Sequence, residues 1–257
     1  MLPFFPDVIA PMLEALEPAS VVEVGSEHGK MTRKLCELAG RWGGKVHAVD
    51  PAPLFDIAVW ERDLSPALVV HKKPSLEALP GIAVMDVVLI DGDHNWYTVI
   101  EELRMVERLA RERGAAQPLV LLHDVAWPYG RRDLYYDPST IPEEHRQPYA
   151  RRGMSPAASD LLASGGMNAH LANALHEGGP KNGVLTAVED YVRESEIEFI
   201  FAKIPAAFGL AILLPKTLAA RTPALEELLL PWRSPHVEAF IDRLETARIA
   251  MLTGARG

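Results

Sequence analysis

One cysteine, Cys36, is all the chain has. An internal disulfide and any cysteine-cluster metal site are therefore excluded. Basic residues are the minority: 26 Lys and Arg against 35 Asp and Glu give a formal net charge of −9. Nonspecific binding to nucleic acid is not expected of such a chain. No apolar run approaches the length of a membrane span. The opening MLPFFPDVIAPMLEALEPAS lacks the basic n-region of a signal peptide, and prolines and acids interrupt it. It reads as a short amphipathic helix over residues 7–17. There is no internal repeat. The expectation is a cytoplasmic protein with neither nucleic-acid nor membrane partners. What the chain does have is apolar content, 48% of 257 residues, enough to fill one large α/β domain spanning 1–257.

A third glycine is missing from the stretch on which the chain is organised. Ala19–Val24 is a short apolar, β-branched run, the mark of a strand buried on both faces. Gly25 and Gly29 follow, four apart, and then a helical pattern through Met31, Leu35 and Cys36. Strand, glycine turn and helix open a doubly wound α/β domain, whose ligands sit outside the carboxyl ends of the strands. A dinucleotide fingerprint needs G-x-G-x-x-G for close approach to a pyrophosphate. Here the pattern is Glu23-x-Gly25-x-x-x-Gly29, with Ser26, Glu27 and His28 between the glycines. Glu23 and Glu27 would repel a pyrophosphate and suit a ligand bearing a sulfonium and an ammonium. The stretch resembles the first motif of class I S-adenosylmethionine (SAM)-dependent methyltransferases. The competing reading is a strand–turn–helix that binds no nucleotide.

Further runs carry the α/β alternation onward. Lys45–Asp50 is a second strand, and its final acid lies 25 residues beyond Gly25. An acid at about that distance accepts hydrogen bonds from ribose hydroxyls. Ala67–His71 is a third strand, followed by a short helix with Ser75 as its N-cap. The loop after it holds no acid or aromatic to read an adenine edge. Met85–Asp91 and Pro118–Asp124 are the fourth and fifth strands. Between them a helix has apolar positions at Trp96, Val99, Ile100, Leu103, Val106 and Leu109, with Asp93 as a candidate N-cap. From 125 to 182 the periodicity stops. This Tyr-, Trp- and Arg-rich segment reads as a lid. A helix over 183–194 precedes a hairpin of strands 196–203 and 208–214, and residues 216–257 are helical. Their Leu, Phe and Ile stripe suits packing or a homo-oligomer surface.

VVEVGSEHGK, VHAVD, VVLIDGDHNW and LVLLHDV, in that order, resemble the small-molecule methyltransferases that include sugar and macrolide O-methyltransferases. The resemblance covers most of residues 19–215. It implies a Rossmann-like, doubly wound, seven-stranded and mostly parallel sheet with a terminal antiparallel hairpin and a lid insertion. It implies SAM as cofactor, with Glu23, Gly25, Ser26, Gly29, Asp50 and Asp91 as its binding residues. Several members of the group hold Mg²⁺ on acids at the ends of the fourth and fifth strands, the places of Asp91 and Asp124. The departure is His123-Asp124-Val125, where the metal-dependent catechol-type pattern has Asp-Asn or Asp-Asp.

Chemistry supports these positions. Methyl transfer from a sulfonium is an in-line displacement, and the acceptor hydroxyl must lose its proton near the moment of attack. His94, with Asp91, is the catalytic candidate. Carboxylates on neighbouring strands repel unless a proton or cation lies between them, and Mg²⁺ or Ca²⁺ suits oxygen ligands. Strand alternation would turn His123 to the face opposite Asp124. Acceptor contacts are expected from the lid: Tyr129, Arg131, Arg132 and Tyr135, with Tyr136 beside them. The alternative for the arginines is pairing with the protein's own acids. The function expected is O-methylation of a small polar molecule such as a glycosylated natural product. The alternatives are a nonmethylating, hydroxylase-like enzyme or a nucleotide-binding module on the same scaffold.

Overall fold

Runs of Val, Leu and Ile become buried parallel strands: β1 Ser20–Val24, β2 Lys45–Val49, β3 Leu68–His71, β4 Val87–Ile90 and β5 Leu119–His123. The structure, a computed structural model, describes residues 1–254. Three short strands follow, β6 Leu134–Tyr135, β7 Tyr149–Arg151 and β8 Ala172–Ala174, and then β9 Phe199–Ile204 and β10 Leu210–Pro215. The main sheet has seven strands in the order β3-β2-β1-β4-β5-β10-β9. β10 runs antiparallel to both β5 and β9, which is the expected terminal hairpin. The fold is a doubly wound, Rossmann-like α/β sheet, mostly parallel.

Helices cover both faces, so residues on either side of each strand must be apolar. The helices are α1 Ala10–Leu16, α2 Lys30–Ala39, α3 Ile57–Asp63, α4 Ser75–Ala78, α5 Trp96–Glu112 and α6 Val184–Glu194. After the hairpin come α7 Lys216–Arg221, α8 Pro223–Leu229 and α9 Pro235–Thr253. Val21, Val46, Leu68, Leu89 and Leu121 pack with Ile9, Leu13 and Leu35 on one face. Val22, Val24, Val88, Ile90 and Leu122 pack with Val99, Leu103 and Val188 on the other. No described helix is long and apolar enough to cross a membrane.

Several local expectations are corrected. Helical structure begins at Leu2, before the expected start, with a 3-10 turn and a π turn ahead of α1. α3 had no apolar stripe to announce it because it buries no residue fully. The N-cap of α4 is Pro74; Ser75 instead donates its hydroxyl to Glu102 Oε1 at 2.5 Å. Asn95 caps α5, accepting from Thr98 N at 2.8 Å, so Asp93 is not the cap. Phe208 lies outside its strand: Ala207 and Phe208 take positive φ in the connection. On α9 the apolar stripe divides, with Ile249 buried and Phe240, Leu244 and Met251 exposed.

Residues 125–182 are folded rather than irregular. β6, β8 and β7 form a small antiparallel sheet over a core of Tyr129, Leu134, Met154 and Leu161. Its joint to the main sheet is polar. Asp133 Oδ1 accepts from Trp96 N at 2.7 Å and Gly183 N at 2.6 Å, the first residue of α5 and the N-cap of α6. Asp133 Oδ2 accepts from the Tyr135 hydroxyl at 2.8 Å.

The Ser75–Glu102 contact carries a pH prediction. Burial pushes the Glu102 carboxyl up to about 8 against an ordinary 4.5; the Ser75 bond opposes this and the Asp93 charge adds to it. The folded state therefore keeps a proton that the unfolded chain loses above its ordinary value. The contribution to stability is fully present below about 4.5 and is lost as pH rises toward 8. Glu102→Gln keeps the shape and removes the titration. Its stability relative to the parent should rise by up to about 1.4 kcal/mol per pH unit across that window. Urea unfolding at pH 5, 6.5 and 8 measures this; parallel pH profiles for the two proteins would refute it.

Candidate active site

The glycine turn is a close crossing of β1 and β4. Gly25 has φ +86°, and a Cβ there would lie 2.2 Å from the Asp91 carbonyl oxygen. Gly25 N donates to Val49 O at 2.9 Å, and Asp91 N to Val24 O at 2.9 Å. The turn is therefore pinned to β2 and β4 together. Gly29, at φ +71°, lets the Trp60 ring approach the start of α2.

Asp50 organises this turn. Its Oδ2 accepts from Ser26 N at 3.0 Å and Glu27 N at 2.8 Å, and its Oδ1 from Ala52 N at 2.8 Å. A carboxylate has about four acceptor positions, so capacity for a hydroxyl remains. Glu23 changes the electrostatic argument. It is buried, accepts from the Thr32 hydroxyl at 2.5 Å, and is pushed by burial up to about 8. Burial thus favours the neutral acid at Glu23, and of the two glutamates only Glu27 is exposed beside the turn. The expected pair of charges there is corrected to one.

Four titratable side chains meet where β4 and β5 end. His123 Nδ1 lies 3.0 Å from Asp91 Oδ1 and 2.9 Å from Asp124 Oδ2. His123 Nε2 donates to the Ala207 carbonyl at 2.9 Å. His94 Nε2 is 2.9 Å from Asp124 Oδ2 and 3.8 Å from Asp91 Oδ1. The 2.9 Å contact is an ion pair without hydrogen-bond alignment, and His94 Nε2 is left buried with no hydrogen-bond partner. The remaining Asp91 oxygen accepts from the Met1 amino group at 2.7 Å.

His123 was expected on the far side of its strand. The strand ends at His123, and Asp124 turns left-handed at φ +60°. That turn breaks the alternation and brings the two side chains together. Asp and Asn tolerate this backbone region better than most residues. The His123 ring thus stands between the two carboxylates that were expected to repel each other.

Mutual charge sets the protonation of the cluster. Burial alone would raise the aspartates. The His123 charge and hydrogen bond outweigh it at Asp91, and the His94 and His123 charges do so at Asp124. Both carboxyls are held well below the usual range. Burial would lower the histidines, but the Asp124 charge prevails, so His94 sits well above its ordinary value and His123 rises to about 9.

Aromatic rings wall the cluster. Tyr129 stacks on His94 with centroids 5.6 Å apart, and the Tyr136 hydroxyl is 3.4 Å from His94 Nδ1. Phe4 sets its edge against His123 at 6.0 Å, a contact with no signal in the sequence beyond an apolar residue.

The other expected acceptor residues are committed elsewhere. Arg131 makes a two-pronged pair with Glu189, both bonds 2.6 Å. Arg132, fully buried, donates to the carbonyls of Ala174 and Ser159. The Tyr135 hydroxyl bonds Asp133. Tyr129 is buried, and its hydroxyl accepts from Asn168 Nδ2 at 2.7 Å. Arg131 therefore takes the alternative of pairing with the protein's own acids. Arg132 and Tyr135 hold the insertion together, and Tyr136 is the exposed aromatic left beside His94.

A family described as methyltransferase domain matches residues 22–125, the segment from β1 to the end of the candidate site. The match spans less than half of the chain. No curated protein matches it. Among solved structures it is similar to a 1,6-didemethyltoxoflavin-N1-methyltransferase from Burkholderia thailandensis with bound 1,6-didemethyltoxoflavin and S-adenosylhomocysteine. There the identity is 15%, the match covers 80% of this chain and 75% of the other, and the TM-score is 0.47. An S-adenosylhomocysteine-bound methyltransferase from Podospora anserina is 11% identical over 80% and 76%, with a TM-score of 0.47. An O-methyltransferase of tomaymycin synthesis from Streptomyces achromogenes, with SAM, is 13% identical over 80% and 78%, with a TM-score of 0.41.

Proposed function

We propose that the chain methylates a hydroxyl of a small polar acceptor, with SAM bound across Gly25–Gly29 and Asp50 and the acceptor beside His94 and Tyr136. The observation that carries this reading is the compensated cluster of Asp91, His94, His123 and Asp124 at the carboxyl ends of β4 and β5, next to the glycine turn. The acceptor oxygen forms a bond to the methyl carbon. The carbon–sulfur bond breaks with its electron pair going to sulfur, and the hydroxyl proton leaves to a base. His94 is that base. Asp124, 2.9 Å away, stabilises the imidazolium that forms, as an acid beside a catalytic histidine does. An arriving sulfonium acts in the opposite sense and favours the neutral imidazole before transfer. Tyr129, stacked on the ring, fixes its plane.

Asp91, His123 and Asp124 are a donor set that fits a divalent ion: one ligand atom from each, all within 4.8 Å of one another. Such an ion would lower the pKa of an acceptor hydroxyl.

Asp50 is assigned to the ribose hydroxyls. Losing a charged acceptor costs about 1.5–3 kcal/mol per hydrogen bond, so Asp50→Ala should weaken S-adenosylhomocysteine binding by about 10-fold or more. Calorimetry checks this, and an unchanged affinity refutes the assignment. NADH binding more tightly than SAM to the parent protein would remove the whole proposal. Product analysis with methyl-labelled SAM and sugar or phenol acceptors tests the reaction itself.

A further inference from the structure

The resemblance that brings a metal to this site brings Mg²⁺, but the donors present are not Mg²⁺ donors. We propose that the cluster selects a borderline transition-metal dication such as Mn²⁺ or Co²⁺ over Mg²⁺, with His123 Nδ1 as the selecting ligand. This rests on reading the cluster as a metal site of the proposed methyltransferase.

Spacing is the first argument. His123 Nδ1 is 3.0 Å from Asp91 Oδ1 and 2.9 Å from Asp124 Oδ2. Neighbouring ligands of a six-coordinate ion with bonds of about 2.1 Å stand about 3.0 Å apart. The nitrogen lies between the carboxylates at ligand separation and cannot be left out of any ion they share.

Orientation is the second. The Ala207 carbonyl can only accept, so the 2.9 Å contact keeps a hydrogen on His123 Nε2. In the neutral ring this leaves the Nδ1 lone pair facing Asp91 and Asp124. Metal-bound histidines are held in this way, by a carbonyl or carboxylate on the other ring nitrogen. The carbonyl comes from the β9–β10 connection, where the positive φ of Ala207 and Phe208 sets the local backbone.

The third argument is independent of the first two. His94 Nε2 is buried, has no hydrogen-bond partner, and stands 2.9 Å from Asp124 Oδ2 and 3.8 Å from Asp91 Oδ1. A buried, unpartnered polar atom therefore borders the same space, while His123 alone is counted as the nitrogen ligand and His94 keeps the role of base. Mg²⁺ favours an all-oxygen shell and gives up water reluctantly. Imidazole suits later first-row ions, and affinity for mixed nitrogen and oxygen sites rises from Mn²⁺ toward Cu²⁺.

The test uses the full chain stripped of metal, with Mn²⁺, Co²⁺ and Mg²⁺ titrated separately by calorimetry. Co²⁺ is also followed by its visible absorption and Mn²⁺ by loss of the free-ion EPR signal. One Co²⁺ should bind about 100-fold more tightly than Mg²⁺, with Mn²⁺ between them. His123→Asp supplies an oxygen in place of the nitrogen and should narrow the Co²⁺ to Mg²⁺ ratio by about 10-fold or more. Equal affinities for Co²⁺ and Mg²⁺ in the parent protein overturn the proposal whether or not the variant folds. A ratio unchanged in a folded His123→Asp protein overturns it too. So does the absence of any bound divalent ion, which would leave His123 itself as the cation between the aspartates. S-adenosylhomocysteine titrated into the same samples separates the two failures. Nucleoside binding without metal selectivity removes only this inference, and loss of nucleoside binding removes the methyltransferase reading beneath it.

Discussion

His94→Ala should lower the rate of methyl transfer by about 10²–10⁴-fold while leaving S-adenosylhomocysteine affinity within about threefold. The first number is the usual contribution of a placed general base. The second follows from its contacts: His94 meets Asp91, Asp124, Tyr129 and Tyr136, whereas the Ser26 and Glu27 amides are tied down by Asp50. The parent rate should rise with pH along a limb belonging to the histidine, because the two aspartates favour the charged ring and the base must be neutral. That limb should disappear in the variant. The measurement is single-turnover transfer from methyl-labelled SAM, with calorimetry on the same protein as a control for folding. A variant that keeps more than about a tenth of the rate, or keeps the limb, would show that the proton leaves by another route.

Gly25→Ala should destabilise the protein by more than about 3 kcal/mol, or prevent folding. Two effects add here. The residue has φ +86°, which by itself costs an alanine about 1 kcal/mol. The new Cβ would also meet the Asp91 carbonyl oxygen at 2.2 Å, its carbon at 2.6 Å and the Gly92 Cα at 2.7 Å. All three are backbone atoms, and the ladder bond from Asp91 N to Val24 O holds them in place. Gly43 supplies the comparison. It has φ +78° and nothing within 4 Å of its Cβ direction, so Gly43→Ala should show the conformational cost alone. Urea unfolding of both variants separates the terms. Equal losses would mean that the crossing of β1 and β4 yields easily, and that the turn owes its glycine to φ alone.

The central strands β1, β4 and β5 were readable because burial on both faces leaves each with a nearly unbroken apolar run, whereas β2 and β3 are only partly buried. Val21 and Val22 pack on opposite sides, and both must be hydrophobic. The glycine turn was readable from its spacing, and the Asp91 and His94 neighbourhood from its place after β4. The position of His123 was not readable. It depends on one left-handed residue, Asp124, and residue type alone does not announce that. Glu23 looked like a charge because a sequence shows the carboxyl and hides its burial. The insertion at 125–182 was opaque for a different reason. Periodicity reports apolar faces, and this segment is held largely by buried Arg132, Asp133 and Asn173, whose partners are backbone groups and amides dispersed along the chain. Arg132 also misled the assignment of acceptor contacts, since an arginine built into a framework and one waiting for a ligand have the same letter.

Asp133 joins three parts of the molecule through one carboxylate: the first turn of α5, the N-cap of α6 and the Tyr135 hydroxyl. Each of the first two bonds sits at a helix N-terminus, where a negative charge is favoured. A hinge needs somewhere to bend, and through Asp133 the segment is fastened to the starts of α5 and α6, the second of which is where it ends. The wall beside His94 is thus set before any acceptor arrives. Selectivity among the proposed acceptors would then rest on Tyr129 and Tyr136 as they already stand beside His94.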